Sequence, residues 1–207
     1  MSALYPVALM VEGRRCLVIG GGPVAARKAE GLRACGAEVH VVATSAGAEI
    51  RALGVPIEER PYRRGEVAGY WLAIAATGDH AVNRAVFEDG EAAGVWVNGA
   101  DDPAACSLML PAVARRGPIT VAVSTGGRSP ALAAWLRARF ESELGPEYEV
   151  LAELLNQARE ELRAAGHRSE EADWRTALDS DMLDLIRAGQ IARAKERLQS
   201  CLSSSLG

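Results

Sequence analysis

The sequence predicts an α/β fold built on a parallel sheet, because short apolar segments alternate with helical patterns from residue 15 onward. The first segment, 15–19, runs directly into three glycines and a helical pattern that starts at Pro23. The segment 71–76 is continuously apolar, which is typical of a central strand covered on both faces. Together these observations indicate a Rossmann-type nucleotide-binding half.

The other elements of this half follow in a regular order. Apolar runs predict strands over 38–43, 57–60 and 95–98, with a short helix near 46–53. Asp79 is typical of an N-cap, so the helix behind it is expected to run to about Ala93. The apolar stretch 4–11 predicts an edge strand and a turn. Ligands of such sheets bind beyond the carboxyl ends of the strands, which points to 20–24, 43–45, 77–80 and 98–102.

A G-x-G-x-x-A pattern joins the first strand to the first helix. Its first glycine permits the tight turn, its second lets the backbone approach a pyrophosphate, and Ala25 lets the helix pack closely. Glycine turns also end ordinary strands, but here a strand and a helix flank the pattern, which favours a nucleotide site. The helix N-terminus adds N–H donors and the positive end of a dipole. The residues predicted to bind the cofactor are Gly20, Gly21, Gly22, Pro23, Val24, Thr44, Ser45 and Thr77.

The end of the second strand bears on the choice of cofactor. The segment 41–45 lacks the acidic residue that ordinarily binds the ribose hydroxyls of NAD, and it has no adjacent Arg or Lys for the extra phosphate of NADP. Thr44 and Ser45 can still bind the ribose through hydroxyl or backbone groups. The sequence therefore favours NAD over NADP.

Two adjacent aspartates follow the fifth strand, and their neighbours separate their roles. Asp102 stands before Pro103, which is typical of an N-cap with proline at the first helical position. Asp101 is left as a candidate general base, and a loop carboxylate that only faces water is an equal alternative. Asn98 is expected to fix the loop by Asx-type hydrogen bonds. Cys106 is expected to be a small buried residue, because no histidine is placed to activate it.

The chain changes character after Pro111. A strand over 119–124 leads into a second glycine turn and a helix with Ser129 as its N-cap and Pro130 at its first position. Residues 145–146 are Gly-Pro and end that helix. The rest is polar and helical, with starts expected at Ser169 and Ser180.

The turn 124–129 is a second candidate anion site, although a plain strand–helix connection is equally compatible with its sequence. The surrounding arginines can neutralise several carboxylates of a polyacidic ligand, which favours anion binding. These arginines are Arg115, Arg116, Arg128, Arg137 and Arg139. The residues predicted to bind substrate are Asn98, Ser124, Thr125, Gly126 and Arg128.

Composition argues against several other functions. The formal net charge of −4 is unfavourable for wholesale binding of nucleic acid, and no segment approaches the roughly 20 apolar residues of a membrane span. The four cysteines and three histidines have no metal-ligand spacing, so no metal site is predicted. Unpaired thiols suit a reducing compartment, and a cytoplasmic protein is expected.

Four motifs in one order resemble the precorrin-2 dehydrogenase family of siroheme biosynthesis, which also forms the N-terminal part of the larger siroheme synthases. They are GGGPVAARK (20–28), WLAIAAT (71–77), VNGADDP (97–103) and AVSTGGRSP (122–130). The resemblance covers about residues 7–140, while the helical tail agrees only in length and character. The chain is thus divided into a Rossmann domain over 1–112, a dimerisation segment over 113–146 and a helical domain over 147–207.

The resemblance implies that NAD oxidises precorrin-2, a polycarboxylate tetrapyrrole, to sirohydrochlorin. The aspartate proposed as catalytic in the family falls on Asp101, and relatives are homodimers whose contact corresponds to about 119–144. The chain leaves no room for a methyltransferase domain, so precorrin-2 is expected to come from another enzyme. Some relatives also insert ferrous iron; here that activity is expected to be weak or absent, because no histidine or cysteine is positioned by sequence to assist Asp101.

Three alternatives remain open at this point. One is a bifunctional dehydrogenase and ferrochelatase in which a single carboxylate serves both steps. Another is a non-catalytic nucleotide-sensing module, which would use the same glycine turn but usually carries the acidic ribose ligand missing here. The last is a structural dimerisation protein, which would need neither Asp101 nor the glycines.

Overall fold

In the computed structural model, which describes residues 4–100 and 102–203, five parallel strands form the sheet of the first unit, 1–110. The strands are β1 (Arg15–Ile19), β2 (Glu38–Ala43), β3 (Ile57–Glu59), β4 (Leu72–Ala75) and β5 (Trp96–Gly99). Their spatial order is β3-β2-β1-β4-β5, so the order reverses between β1 and β4. Because every pair is parallel, all five carboxyl ends meet at one edge. The predicted Rossmann-like α/β fold is confirmed.

Three helices connect these strands. They are α1 (Pro23–Ala34), α2 (Ala48–Ala52) and α3 (His80–Ala93). Asp79 caps α3 as predicted, since its Oδ1 accepts hydrogen bonds from the N–H groups of Ala81 at 2.8 Å and Val82 at 3.3 Å. Gly94 ends α3 in the left-handed region, with φ of 67°.

The core of the first unit lies on both faces of the sheet. Along β1, Cys16 and Val18 join the apolar cluster that includes α1 and α2, whereas Leu17 and Ile19 join the cluster that includes α3. This alternation follows from the two-residue period of a strand. The buried residues of α1 are all alanines, which lets the helix lie close to the sheet. They are Ala25, Ala26 and Ala29.

The predicted edge strand over 4–11 is wrong, because residues 4–11 contain no strand. Within the described residues the sheet ends at β3 and β5, so this apolar stretch has no strand partner. Tyr5 and Met10 remain 89 % and 87 % exposed, respectively, and only Val11 is buried. An apolar stretch without a partner edge does not satisfy its backbone groups in a ladder.

The carboxylate of Asp89 holds the segment between β3 and β4 through three contacts. Asp89 of α3 accepts hydrogen bonds from the Tyr62 hydroxyl and the Gly65 N–H, both at 2.7 Å. The Arg64 guanidinium lies 2.7 Å from the other oxygen of the same carboxylate. The Asp89 side chain is only 9 % exposed, although the Arg64 side chain is 61 % exposed, and the negative charge of Asp89 strengthens all three bonds.

The second unit, 111–207, begins with an antiparallel hairpin and continues as helices. The hairpin pairs β6 (Ala112–Arg116) with β7 (Ile119–Val123), and β6 was not predicted from the sequence. The helices are α4 (Pro130–Glu143), α5 (Glu147–Ala164), α6 (Trp174–Leu178), α7 (Met182–Arg187) and α8 (Ile191–Ser203). The separate domains predicted over 113–146 and 147–207 stay a prediction.

The helix boundaries of this unit follow local signals in part. Ser129 caps α4 with Pro130 behind it, as predicted, and α5 starts just after the Gly-Pro break. Ser169 starts a 3-10 turn rather than an α-helix, and Asp173 caps α6. The apolar core of the unit comes from α5, α6, α7 and α8, with Leu154, Met182 and Leu198 among its buried members. No helix of the described part of the chain is long and apolar enough to cross a membrane.

Candidate nucleotide site

The glycine turn between β1 and α1 is packed against the loops that follow β2 and β4. Gly20 has a φ of +129°, and a Cβ at this position would collide with the Ala76 carbonyl oxygen. A Cβ at Gly21 would collide with the Ser45 carbonyl oxygen. Both positions therefore require glycine, and the three loops form one continuous backbone surface beside the point where the strand order reverses.

Gly22, the third glycine of the turn, is not packed against a neighbouring loop. A Cβ added there would meet no atom within 4 Å, so this N-cap residue of α1 borders open space. No described side chain caps α1, and its first turn contains no acidic residue. Since Pro23 has no N–H, the donors left without an intrahelical acceptor in the first turn are those of Val24 and Ala25. This arrangement fits an anion such as the pyrophosphate of a dinucleotide.

Two charged side chains from other elements contact the loop after β2. Thr44 and Ser45 are exposed at the expected place. The Glu59 carboxylate, at the end of β3, accepts a hydrogen bond from the Ala46 N–H at 3.4 Å. It also forms a 2.7 Å ion pair with Arg51 of α2, whose Nε donates to the Ala46 carbonyl at 3.2 Å. An acid and a cation thus both lie at the end of β2, although neither adjoins it in the sequence.

Thr77 follows β4 as expected, and its polar groups are bonded within the chain. Its hydroxyl lies 2.7 Å from Oδ1 of Asn83, and its N–H donates to the same oxygen at 3.2 Å. The Asn83 amide donates in return to the Thr77 carbonyl at 3.1 Å. Asn83 is 2 % exposed and was missed from the sequence. The sequence signal that could have identified Asn83 is its place on the buried face of α3, where the other residues, Val86 and Gly90, are not polar.

Asn98 of β5 is buried and holds the segment that returns past the strand. Its Nδ2 donates to the Leu108 carbonyl at 3.1 Å, so Asn98 holds a segment ten residues along the chain, and the expected Asx-type hydrogen bonds are not found among the described residues. Its Oδ1 is buried and, among the described residues, has no hydrogen-bond partner. Whether Asn98 contacts substrate stays a prediction.

The loop after β5 holds the two aspartates. Asp102 caps the 3-10 turn Pro103–Ala105, because its Oδ1 accepts from the Ala104 N–H at 2.9 Å. This confirms the role that the Asp-Pro pair predicts. Asp101, the candidate general base, lies outside the described residues.

The Cys106 thiol forms hydrogen bonds with backbone groups of Gly99 and Asp102, which lie on either side of position 101. Its Sγ lies 3.2 Å from the Gly99 carbonyl and 3.3 Å from the Asp102 carbonyl, and it accepts from the Gly99 N–H at 3.2 Å. Burial raises the pKa of the Cys106 thiol, which keeps its proton available for donation. Cys106 was expected to be buried; it is half-buried, and its contacts are with the backbone of its own loop.

The second glycine turn belongs to the second unit. Thr125 Oγ1 accepts from the Ser129 N–H at 3.0 Å, and Ser124 Oγ accepts from the Gly126 N–H at 3.2 Å. Arg128 is exposed beside them. These hydroxyls organise the turn itself, and their contact with a ligand stays a prediction.

Several of the arginines around this turn have partners inside the unit. Arg116 donates to the Leu144 carbonyl at 3.0 Å, and Arg139 pairs with Glu143 at 3.0 Å. Arg137 pairs with Glu141. Since the pairs on α4 are exposed, they cost little to exchange for a ligand carboxylate. Within residues 4–100 and 102–203, no three His, Cys, Asp or Glu side chains gather as metal ligands would.

Two family models match the chain. A family described as "Putative NAD(P)-binding" matches residues 7–112, and one described as "Sirohaem biosynthesis protein central" matches residues 116–143. The first match covers the sheet and the glycine turn. The second covers most of the hairpin and α4.

Relatives of known name point to the same pathway. The chain is 37 % identical to a siroheme synthase of Nitrosomonas eutropha, over 98 % of this chain and 44 % of that protein. It is 36 % identical to a siroheme synthase of Pseudomonas aeruginosa, over 97 % of this chain and 44 % of the relative. The chain therefore spans less than half the length of these siroheme synthases. A solved structure, SirC, precorrin-2 dehydrogenase, is 26 % identical, with a TM-score of 0.68 over 96 % of this chain and 98 % of that one.

Proposed function

Because the chain belongs to the family of precorrin-2 dehydrogenases and siroheme synthase N-terminal parts, we propose that it oxidises precorrin-2 to sirohydrochlorin with NAD. The observation that supports this most directly is the uncapped, acid-free start of α1 behind Gly22. An anion fits there without displacing any side chain. The nicotinamide nucleotide, when bound, supplies the hydride acceptor of the reaction.

The residues of the first unit take distinct roles in this proposal. Gly22, Val24 and Ala25 bind the pyrophosphate through backbone contact and N–H groups. Thr44 and Ser45 bind the adenosine ribose. Thr77 shapes the floor of the site through its bonds to Asn83 and does not need to donate to the nucleotide.

Oxidation of precorrin-2 removes one hydride and one proton, so the protein must hold a base near the reacting carbon. We assign this role to Asp101. The support is indirect: the neighbouring carboxylate of Asp102 is engaged as a cap, and Cys106 bonds to backbone groups on either side of position 101. Strand β5 ends at the carboxyl edge of the sheet just before this position, which is a suitable place for a base.

For the second unit we propose binding of the substrate carboxylates and assembly into a homodimer. Ser124, Thr125, Gly126 and Arg128 offer hydroxyl, backbone and cationic groups at one turn. A tetrapyrrole with many carboxylates suits such a set, because arginine binds carboxylates through paired N–H groups.

The direct test mixes the protein with NAD and freshly prepared precorrin-2 under anaerobic conditions and follows NADH absorbance and the sirohydrochlorin spectrum. Both signals should rise together and depend on protein concentration. Gly22→Asp is the matched control, because it puts a negative charge into the open space before α1 without a clash. Binding of NAD without either signal would contradict a dehydrogenase and favour the nucleotide-sensing module.

A further inference from the structure

The end of β3 places a carboxylate at the ribose end of the proposed nucleotide site. Glu59 is in register with Ala43, the last residue of β2, so the two lie side by side at the carboxyl edge. From there Glu59 Oε2 accepts from the Ala46 N–H at 3.4 Å, and Oε1 lies 2.7 Å from Arg51. One carboxylate therefore engages a backbone donor and a guanidinium of the loop that follows β2.

These two donors are the groups that a phosphate on the ribose would require. In Rossmann proteins the 2′-phosphate of NADP is accommodated near the end of the second strand, by arginine and by hydrogen-bond donors. Arg51 lies at that loop, since its Nε donates to the Ala46 carbonyl at 3.2 Å. The side chains of Arg51 and Glu59 are 54 % and 43 % exposed, so a soluble nucleotide can reach both.

The Glu59 carboxylate is ionised under ordinary conditions. Its hydrogen bonds from Arg51 and from the Ala46 N–H hold its pKa below the usual value. An incoming 2′-phosphate would meet a negative charge and would find its donors already engaged. The ribose of NAD carries no such phosphate and can approach Thr44 and Ser45 without displacing Glu59.

We propose that Glu59 occupies the 2′-phosphate position as a resident anion and thereby selects NAD against NADP. This inference rests on the proposed nicotinamide nucleotide site of the first unit. It assigns specificity to a residue of the third strand, in place of the acid that Rossmann proteins ordinarily carry at the end of the second. Arg51 could bind a phosphate, but its charge is neutralised by its ion pair with Glu59.

The test compares binding of 2′,5′-ADP and 5′-AMP by isothermal titration calorimetry, so that no turnover is required. Glu59→Gln keeps an acceptor for the Ala46 N–H but removes the charge. It should bind 2′,5′-ADP at least about tenfold more tightly than the parent, since one freed charge-assisted contact has about that effect. Its affinity for 5′-AMP should stay within about twofold, and the gain should shrink at high salt.

Two further variants sharpen the test. Glu58→Gln is the matched control, because Glu58 adjoins Glu59 but pairs with Arg60 at 2.8 Å, and it should leave both affinities unchanged. The double variant Glu59→Gln with Arg51→Gln should lose the gain, since the latent cation is gone. Glu59→Ala repeats the charge removal in case the glutamine finds a new partner.

The outcomes separate this inference from the proposed function. An unchanged ratio of the two affinities in folded Glu59→Gln and Glu59→Ala proteins, with NAD-dependent oxidation of precorrin-2 intact, would overturn the role of Glu59 alone. Failure of the parent and all variants to bind either nucleotide, or NAD itself, would overturn both.

Discussion

At the scale of single residues, Asp102 and its neighbours follow local chemistry that the sequence displays. An aspartate before a proline predicts a cap, and the carboxylate does accept the Ala104 N–H at 2.9 Å. Asp79 and Ser129 cap their helices for the same reason. These assignments depend only on residues two or three positions away.

Exchange of each aspartate for asparagine should separate chemistry from capping. Asp101→Asn should lower the rate of precorrin-2 oxidation by about 10²–10⁴-fold while NAD still binds, because it removes the proposed proton acceptor. Asp102→Asn should cost no more than a few fold, since asparagine caps helices about as well as aspartate. Initial rates of NADH formation and NAD titrations measure both effects. A larger loss for Asp102→Asn in stable protein would exchange the two roles.

Other residues of the site could not be found by such local reasoning. Glu59 reaches the loop after β2 only because β3 lies beside β2 in a particular register, and Asn83 meets Thr77 only when α3 packs on the sheet. No acid or cation adjoins 41–45 in the sequence. Folding nevertheless brings Glu59 and Arg51 to the end of β2.

At the scale of elements, the glycines of the turn between β1 and α1 differ in what surrounds them. Gly20 and Gly21 let the turn pack against the loops after β4 and β2, whereas Gly22 borders open space. The motif therefore supports the fold at its first two glycines and leaves open space at its third.

Variants at adjacent glycines should make this division visible. Gly21→Ala should destabilise the protein by about 1–3 kcal/mol, because its Cβ would collide with the Ser45 carbonyl. Gly22→Asp should melt close to the parent but fail to bind NAD, since its side chain has space but carries the wrong charge. Thermal unfolding and NAD titrations give the two readouts. A strongly destabilised Gly22→Asp protein would contradict the open space before α1.

Strand β1 carries a titratable group inside the core. Burial raises the pKa of the Cys16 thiol from 9.0 to about 11, and the residue is 0 % exposed. The folded state therefore favours the protonated thiol. That contribution is complete below the unfolded pKa, near 9, and is lost as pH rises towards the folded value.

Removal of the thiol should weaken this alkaline sensitivity. Between about pH 8 and about pH 10.5, the parent should lose about 2 kcal/mol more unfolding free energy than Cys16→Ala, at about 1.4 kcal/mol per pH unit above 9.0. Urea unfolding followed by circular dichroism measures the difference. Cys35→Ala is the control, because Cys35 is exposed. Parallel losses in parent and Cys16→Ala would show that Cys16 does not titrate as argued.

One strand was predicted where none forms and one strand was missed, and both errors have the same cause. Stretch 4–11 is apolar yet forms no strand, and β6 forms a strand although its sequence, AVARR, gives a weak signal. A strand exists only where a partner edge receives its hydrogen bonds, and β6 receives them from β7. Strands β1, β2 and β4 were predictable because most of their residues are apolar and buried in the middle of the sheet, whereas β3, with the sequence IEE, is largely exposed.

At the scale of the whole molecule, α4 carries apolar side chains that the single chain leaves uncovered. Leu132, Trp135 and Phe140 are 47 %, 59 % and 37 % exposed, respectively. Spacings of three and eight residues bring them towards one side of the helix. The helix also lies in the segment predicted to form the dimer contact, and exposed apolar patches commonly mark interfaces.

We therefore expect a homodimer that depends on this side of α4. Trp135→Glu should shift the protein to a monomer at micromolar concentration, because it buries a charge in place of an aromatic anchor. Light scattering coupled to size exclusion measures the mass. Gln199→Glu is the control, because it adds a charge to an exposed position of α8, outside the segment 119–144. A monomeric parent would contradict the dimer outright.

The segment between β3 and β4 offers trypsin two adjacent cleavage sites, at Arg63 and Arg64, both exposed. A protease must first pull such a chain into an extended form, and the three bonds to Asp89 oppose this. Asp89→Ala should therefore be cut there at least about tenfold faster than the parent, whereas Glu88→Ala, which removes exposed contacts to Arg64 at 3.3 Å and Arg84 at 3.5 Å, should not. The buried carboxylate of Asp89 thus serves as a latch against digestion.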